Sequence, residues 1–153
     1  MQRKVVSAAA AVIVSMGLIA GAGAETKPEN AIKYRKAVME SMAGHVSAIM
    51  LIAFNQVPDE GFLEGHTEAL ADLGGELRIV FPEGSGAGET EALPAIWEQP
   101  EKFSTALDDA AMATDALNEA VKSGDRKAIA GAFKQVGESC KGCHESFREE
   151  HEN

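Results

Sequence analysis

Cysteine is almost missing from this chain. Its 153 residues hold two, Cys140 and Cys143, three apart and followed at once by His144. A multi-disulfide framework is therefore excluded, and so is a four-cysteine zinc site. Cations are scarce as well, with 14 Lys and Arg against 24 Asp and Glu and a formal net charge of −10. No basic run interrupts this acidity, so neither nucleic acid nor an anionic lipid surface meets a complementary patch. Sustained alternation of apolar and polar residues is lacking, which argues against a sheet. Past residue 24 no long apolar run occurs, and the rest of the chain reads without a membrane span.

What is present at the start is MQRKVVSAAAAVIVSMGLIAGAGA. Arg3 and Lys4 precede the run Val5 to Ala20, and Ala22-Gly23-Ala24 supplies the small-x-small pattern cut by signal peptidase. The run is rich in Ala, Ser and Gly, whereas a membrane anchor needs ~20 strongly apolar residues. The expectation is a cleaved signal peptide over residues 1–24 and a single exported domain over 25–153. Cleavage removes two cations and no anion, deepening the net charge to −12.

Four stretches of the mature chain carry helical periodicity. The first follows Pro28 and runs Ile32, Arg35, Met39, Met42, Val46, Ile49, Ala53, until Asn55 to Gly61 breaks it. The second runs Phe62, His66, Leu70, Leu73, Leu77, Val80. Residues 81–94, FPEGSGAGETEALP, form a crossover with no pattern, and loops of that length tend to be functional or mobile. The third stripe is Phe103, Leu107, Ala110, Thr114, Leu117, Val121, stopping at Gly124. Asp125 is placed to cap a fourth helix with the stripe Ile129, Phe133, Val136, Cys140, Cys143, Phe147. The fold class that follows is all-α, an antiparallel four-helix bundle.

Arg35 is out of place in these stripes, at a position meant for an apolar side chain. Either its guanidinium snorkels out of the end of the bundle, or something anionic lies inside near the first helix.

The cysteine pair has four readings. A disulfide across i, i+3 closes only a tiny loop and stabilises little. A reactive dithiol belongs at a helix N-terminus in a βαβ setting, whereas this pair lies well inside the fourth helix. Zinc requires four ligands, and the stretch offers three. Cys-x-x-Cys-His is the signature of covalent c-type haem attachment. Two thiols one turn apart can bond the two vinyl groups, and His144, about 6 Å further along the helix than Cys140, can bring a ring nitrogen to the iron. One haem c per chain, bound through Cys140 and Cys143 near the C-terminal helix, is the reading adopted.

CKGCHESFR at 140–148, KYRKAVM at 33–39 and PAIW at 94–97 with Phe103 following resemble cytochrome c′, the class II c-type cytochromes. The resemblance spans the whole mature chain. It implies thioether bonds at Cys140 and Cys143, His144 as the axial iron ligand and Arg148 as the basic residue beside it. It sets Arg35 near a haem propionate and Lys36 and Glu91 at the haem edge, and it puts Phe81 either near the distal pocket or in the plain core.

Met39 then faces the iron from the side opposite His144. In many relatives this position leaves the iron five-coordinate, and such proteins bind NO and CO; in low-spin relatives a methionine here supplies the sixth bond and the protein shuttles electrons. The expected function is a periplasmic haem protein with a vacant, high-spin iron that binds small gases or carries electrons, the low-spin shuttle being the alternative. The resemblance further implies a homodimer through the first two helices, diatomic gases and redox proteins as partners, and no membrane attachment after cleavage. No Ser-His-Asp, paired-carboxylate or phosphate-loop pattern points to an enzyme. His45 and His66 read as packing or interface residues and His151 as solvated.

Overall fold

The computed structural model describes residues 26–150; the expected signal peptide and His151 lie outside them. Pro28 occupies the first turn of α1 (Pro28–Ala53), where no helical N–H is required. The chain leaves α1 through Phe54 and Asn55, the latter at φ 56°. Asp59 Oδ1 then accepts from the N–H groups of Gly61, Phe62 and Leu63 at 3.0, 3.2 and 3.4 Å, which starts α2 (Leu63–Glu76). After the crossover come a single turn, α3 (Ala95–Glu98), and then α4 (Pro100–Ser123) and α5 (Arg126–Phe147). Gly124, at φ 71°, closes α4 in the left-handed conformation open to glycine. Asp125 caps α5 as its position predicts, accepting from the Lys127 and Ala128 N–H groups at 2.8 and 3.2 Å.

The four long helices form a ring, the antiparallel four-helix bundle that the stripes predict. α1 packs on α2, α2 on α4 and α4 on α5, and a sparser α1–α5 seam closes it. Ile49, Leu70 and Leu117 are fully buried on the predicted faces. Side chains of this size contribute about 1.5–3 kcal/mol each when removed from water. No helix among the described residues is long and apolar enough to cross a membrane.

Two stripe residues behave otherwise than expected. Phe62 is 66% exposed, because it precedes the first turn of α2 and so has no place on that helix's inner face. Leu77 and Val80 are buried as expected but lie past the end of α2, which stops at Glu76 just after Gly74-Gly75. Glycine is a poor helix former, and the chain turns here while keeping both apolar side chains inside.

The α2–α4 seam is close because its residues are small. A Cβ on Gly74 would stand 2.3 Å from Thr114 Oγ1 and 3.5 Å from Ala111 Cα. Next to it the Thr67 hydroxyl donates to Asn118 Oδ1 at 3.1 Å, a buried polar pair that the periodicity did not reveal. Gly74→Ala gains helix propensity of about 1 kcal/mol, yet the clash with a buried neighbour costs about 1–3 kcal/mol. Urea unfolding of Gly74→Ala is expected to show a net loss of stability, and adding Thr114→Ala, which removes the obstructing hydroxyl, is expected to return most of it.

Candidate functional site

The Cys-x-x-Cys-His run lies in the last two turns of α5, on the continuation of the stripe that buries Ile129 and Val136. Cys140 and Cys143 are half-buried, unpaired thiols. Burial pushes both above the ordinary thiol range, with the Ser139 hydroxyl opposing the shift at Cys140 and the neighbouring Cys140 adding to it at Cys143. Thiols of that kind stay protonated at neutral pH, the opposite of what a redox dithiol needs. His144 is pulled below the usual histidine range, first by burial and then by the Arg148 cation, with Glu91 opposing. A neutral imidazole keeps a lone pair free for a metal. Beside Cys143 a cleft of about 380 Å³ opens between α4 and α5, lined by Gln99, Lys102, Ala106, Gly142 and Phe147 among others.

Across the bundle, Arg35 does not snorkel: it is 5% exposed. Its Nη1 donates to Ser85 Oγ at 3.1 Å and more weakly to Val80 O at 3.5 Å. Its Nη2 donates to Ser85 O at 3.1 Å and to Thr90 Oγ1 at 2.6 Å. The guanidinium carbon sits 4.9 Å from the centre of the Phe81 ring. Every one of these acceptors is neutral, and no carboxylate forms an ion pair with Arg35 among the described residues. Burial lowers its pKa from the ordinary arginine value, though a guanidinium keeps its charge.

The crossover that holds Arg35 is itself fastened to the end of α5. Leu93 N–H donates to Phe147 O at 3.0 Å, Glu149 N–H donates to Glu91 O at 2.8 Å, and Ala92 pairs with Arg148 in an isolated antiparallel bridge. Ser85, fully buried, locks the loop internally by donating from Oγ to Pro82 O at 2.7 Å. A line of edge-to-face rings completes the link: Phe81 to Phe103 at 4.8 Å and Phe103 to Phe147 at 5.0 Å.

The structure thus brings together most of the residues singled out by sequence. Glu91 and Arg148 both act on His144, and Arg35 is joined to the same end of α5 through the loop. Met39, one turn after Arg35, is half-buried and packs against the core. Lys36 is exposed on α1 and is not drawn into this network. Phe81 packs on the core, as one of its two readings expects, and also lies under Arg35. Ser85, Thr90 and the Phe103–Phe147 contact were missed, because a hydroxyl in a Gly-rich loop carries no periodic signal. Trp97 was noted only as part of a motif. It packs so closely on Gly86 that a Cβ there would meet its ring at 2.7 Å, and its buried Nε1 has no acceptor among the described residues.

These features fit a haem c. Its vinyl groups call for two thiols one turn apart, its iron for a neutral imidazole, and its propionates for a cation that lacks an anion. Arg35 is such a cation, Trp97 Nε1 is a buried donor in want of an acceptor, and the α1–α5 seam is the sparse one.

A family model described as Cytochrome C' matches residues 30–148. Cytochrome c′ of Pararhodospirillum photometricum is 35% identical over 123 residues, covering 80% of this chain and 98% of the relative. Cytochrome c-554 of Cereibacter sphaeroides is 34% identical over 128 residues, covering 79% of this chain and 94% of the relative. A mutant of cytochrome c prime from Alcaligenes xylosoxidans, solved as its nitric oxide complex, superposes with a TM-score of 0.76 at 30% identity, covering 83% of this chain and 99% of that one. By sequence, bundle and site residues alike, the chain belongs to the cytochrome c′ family, whose members bind haem c.

Proposed function

We propose that this is a non-enzymatic, exported haem protein that takes up small neutral gases, NO and CO, at a five-coordinate iron. The observation that carries this reading is the buried, anion-less Arg35, joined through the crossover to the Cys140-x-x-Cys143-His144 end of α5. A haem c held here would supply an iron able to bind a small gas or to exchange an electron.

The chain's own residues divide the remaining work. Cys140 and Cys143 would anchor the group, and His144 would offer a ring nitrogen to the iron. Arg148 beside it favours the neutral imidazole, and Glu91 from the loop moderates that effect. Arg35, held by Ser85 and Thr90, meets a propionate. Met39 packs against the hydrophobic core, and the vacant reading takes it as an apolar wall on the distal side that does not bond the iron. Such a wall admits NO and CO, which carry no charge, and disfavours cyanide or azide, which must shed their water. The nitric oxide complex of the Alcaligenes relative supports the same ligand class. The low-spin electron shuttle, with Met39 on the iron, is the competing reading.

Replacing Cys140 or Cys143 with Ala is expected to weaken covalent retention, read as haem that becomes extractable by acid acetone; haem fully extractable from the unaltered protein would remove the thioether assignment. Optical spectra are expected to be mainly high-spin in both oxidation states, with CO bound on reduction and small anions bound poorly. Met39→Ala is expected to leave the resting spectrum high-spin and to speed CO binding roughly tenfold, the equivalent of about 1.4 kcal/mol off the barrier. A low-spin oxidised spectrum with a methionine-to-iron charge-transfer band, lost in Met39→Ala, would assign the protein to the shuttle class instead.

A further inference from the structure

A second group of metal-binding side chains lies away from the haem site. His45 belongs to α1 and His66 to the first turn of α2, and these two helices pack on each other. Their Nδ1 atoms approach to 3.0 Å, with ring centres 5.2 Å apart and the rings inclined at 63°. Two imidazole lone pairs at that distance repel unless something electrophilic stands between them. In the metal-free pair that is one proton, carried by one ring and accepted by the other.

We propose that His45 and His66 form a binding site for a divalent transition-metal cation, Cu(II) foremost. With metal–nitrogen bonds of about 2.05 Å, two ligands at a right angle stand ~2.9 Å apart and two at the tetrahedral angle ~3.3 Å. The 3.0 Å spacing is within reach of both arrangements, so it brings two ligands together without choosing the metal. Metal binding requires each ring to turn away from the Nδ1–Nδ1 line, so that both lone pairs meet at one point beside it. The Nδ1 proton transfers through water to Nε2 of its own ring, so both imidazoles stay neutral and no charge is lost. No cluster of three or more His, Cys, Asp or Glu suited to a metal is found among the described residues, so water fills the other positions and affinity is micromolar rather than tighter. Copper stands highest in the divalent affinity order, and the chain's net charge of −10 attracts any cation. The partners come from two packed helices, so both ligands stand side by side before the metal arrives.

The test titrates copper(II) chloride into the mature haem-loaded protein in a non-coordinating buffer, by calorimetry and electron paramagnetic resonance. One Cu(II) per chain is expected, with a tetragonal signal split by two imidazole nitrogens, and Ni(II) is expected to bind more weakly. His45→Gln and His66→Gln are each expected to weaken Cu(II) binding at least tenfold, about 1.4 kcal/mol, with unchanged helical circular dichroism and haem absorbance. Each substitution is repeated as Asn, so that a folded variant at each position carries the assignment. A signal without imidazole nitrogens, or equal affinity in either folded variant, overturns the proposal.

Discussion

A charged guanidinium sealed inside a helical bundle is the constraint around which this protein is arranged. Arg35 is 5% exposed and finds only hydroxyls, backbone carbonyls and a ring face as partners. Neutral acceptors relieve part of the desolvation of a buried cation, but they leave its charge unbalanced. An apolar side chain at this point would serve the bundle better. The proposed haem propionate accounts for this position, because it is an anion that the polypeptide does not itself supply.

Much of the irregular structure follows from accommodating that cation. The Gly-rich crossover is ordered because Ser85 and Thr90 must be held under the guanidinium, and Ser85 is in turn locked to Pro82. Once fixed there, the loop runs on to pair with the end of α5 through Glu91, Ala92 and Leu93. Phe81, Phe103 and Phe147 carry the same link through the interior as stacked edges. The α2–α4 seam is drawn tight where Gly74 meets Thr114. The sparser α1–α5 seam joins the two helices that carry Arg35 and His144.

The helices were legible because each buries one stripe, and residues such as Ile49, Leu70, Leu117 and Val136 obey the 3.6-residue period. The cysteine motif was legible because its spacing is itself chemistry. Arg35 was legible only as an anomaly: the stripe showed that it was misplaced, while its burial and partners required the fold. Phe62 misled because a residue just before a helix's first turn can continue a periodic pattern without sharing its face. The Ser85–Thr90 cradle and the His45–His66 contact stayed hidden, since each joins residues distant in sequence and neither leaves a local pattern.

Spectroelectrochemical titration of the haem-loaded protein with Arg35 intact, changed to Lys and changed to Leu examines the Arg35–haem link itself. A cation close to the haem edge favours the reduced iron, because reduction adds negative charge. Arg35→Leu is expected to lower the midpoint potential by tens of millivolts, where about 59 mV is tenfold in a one-electron equilibrium, and Arg35→Lys is expected to retain most of the original value. A midpoint potential unchanged in Arg35→Leu, in a protein that still folds and holds its haem, would contradict the placement of Arg35 against the cofactor.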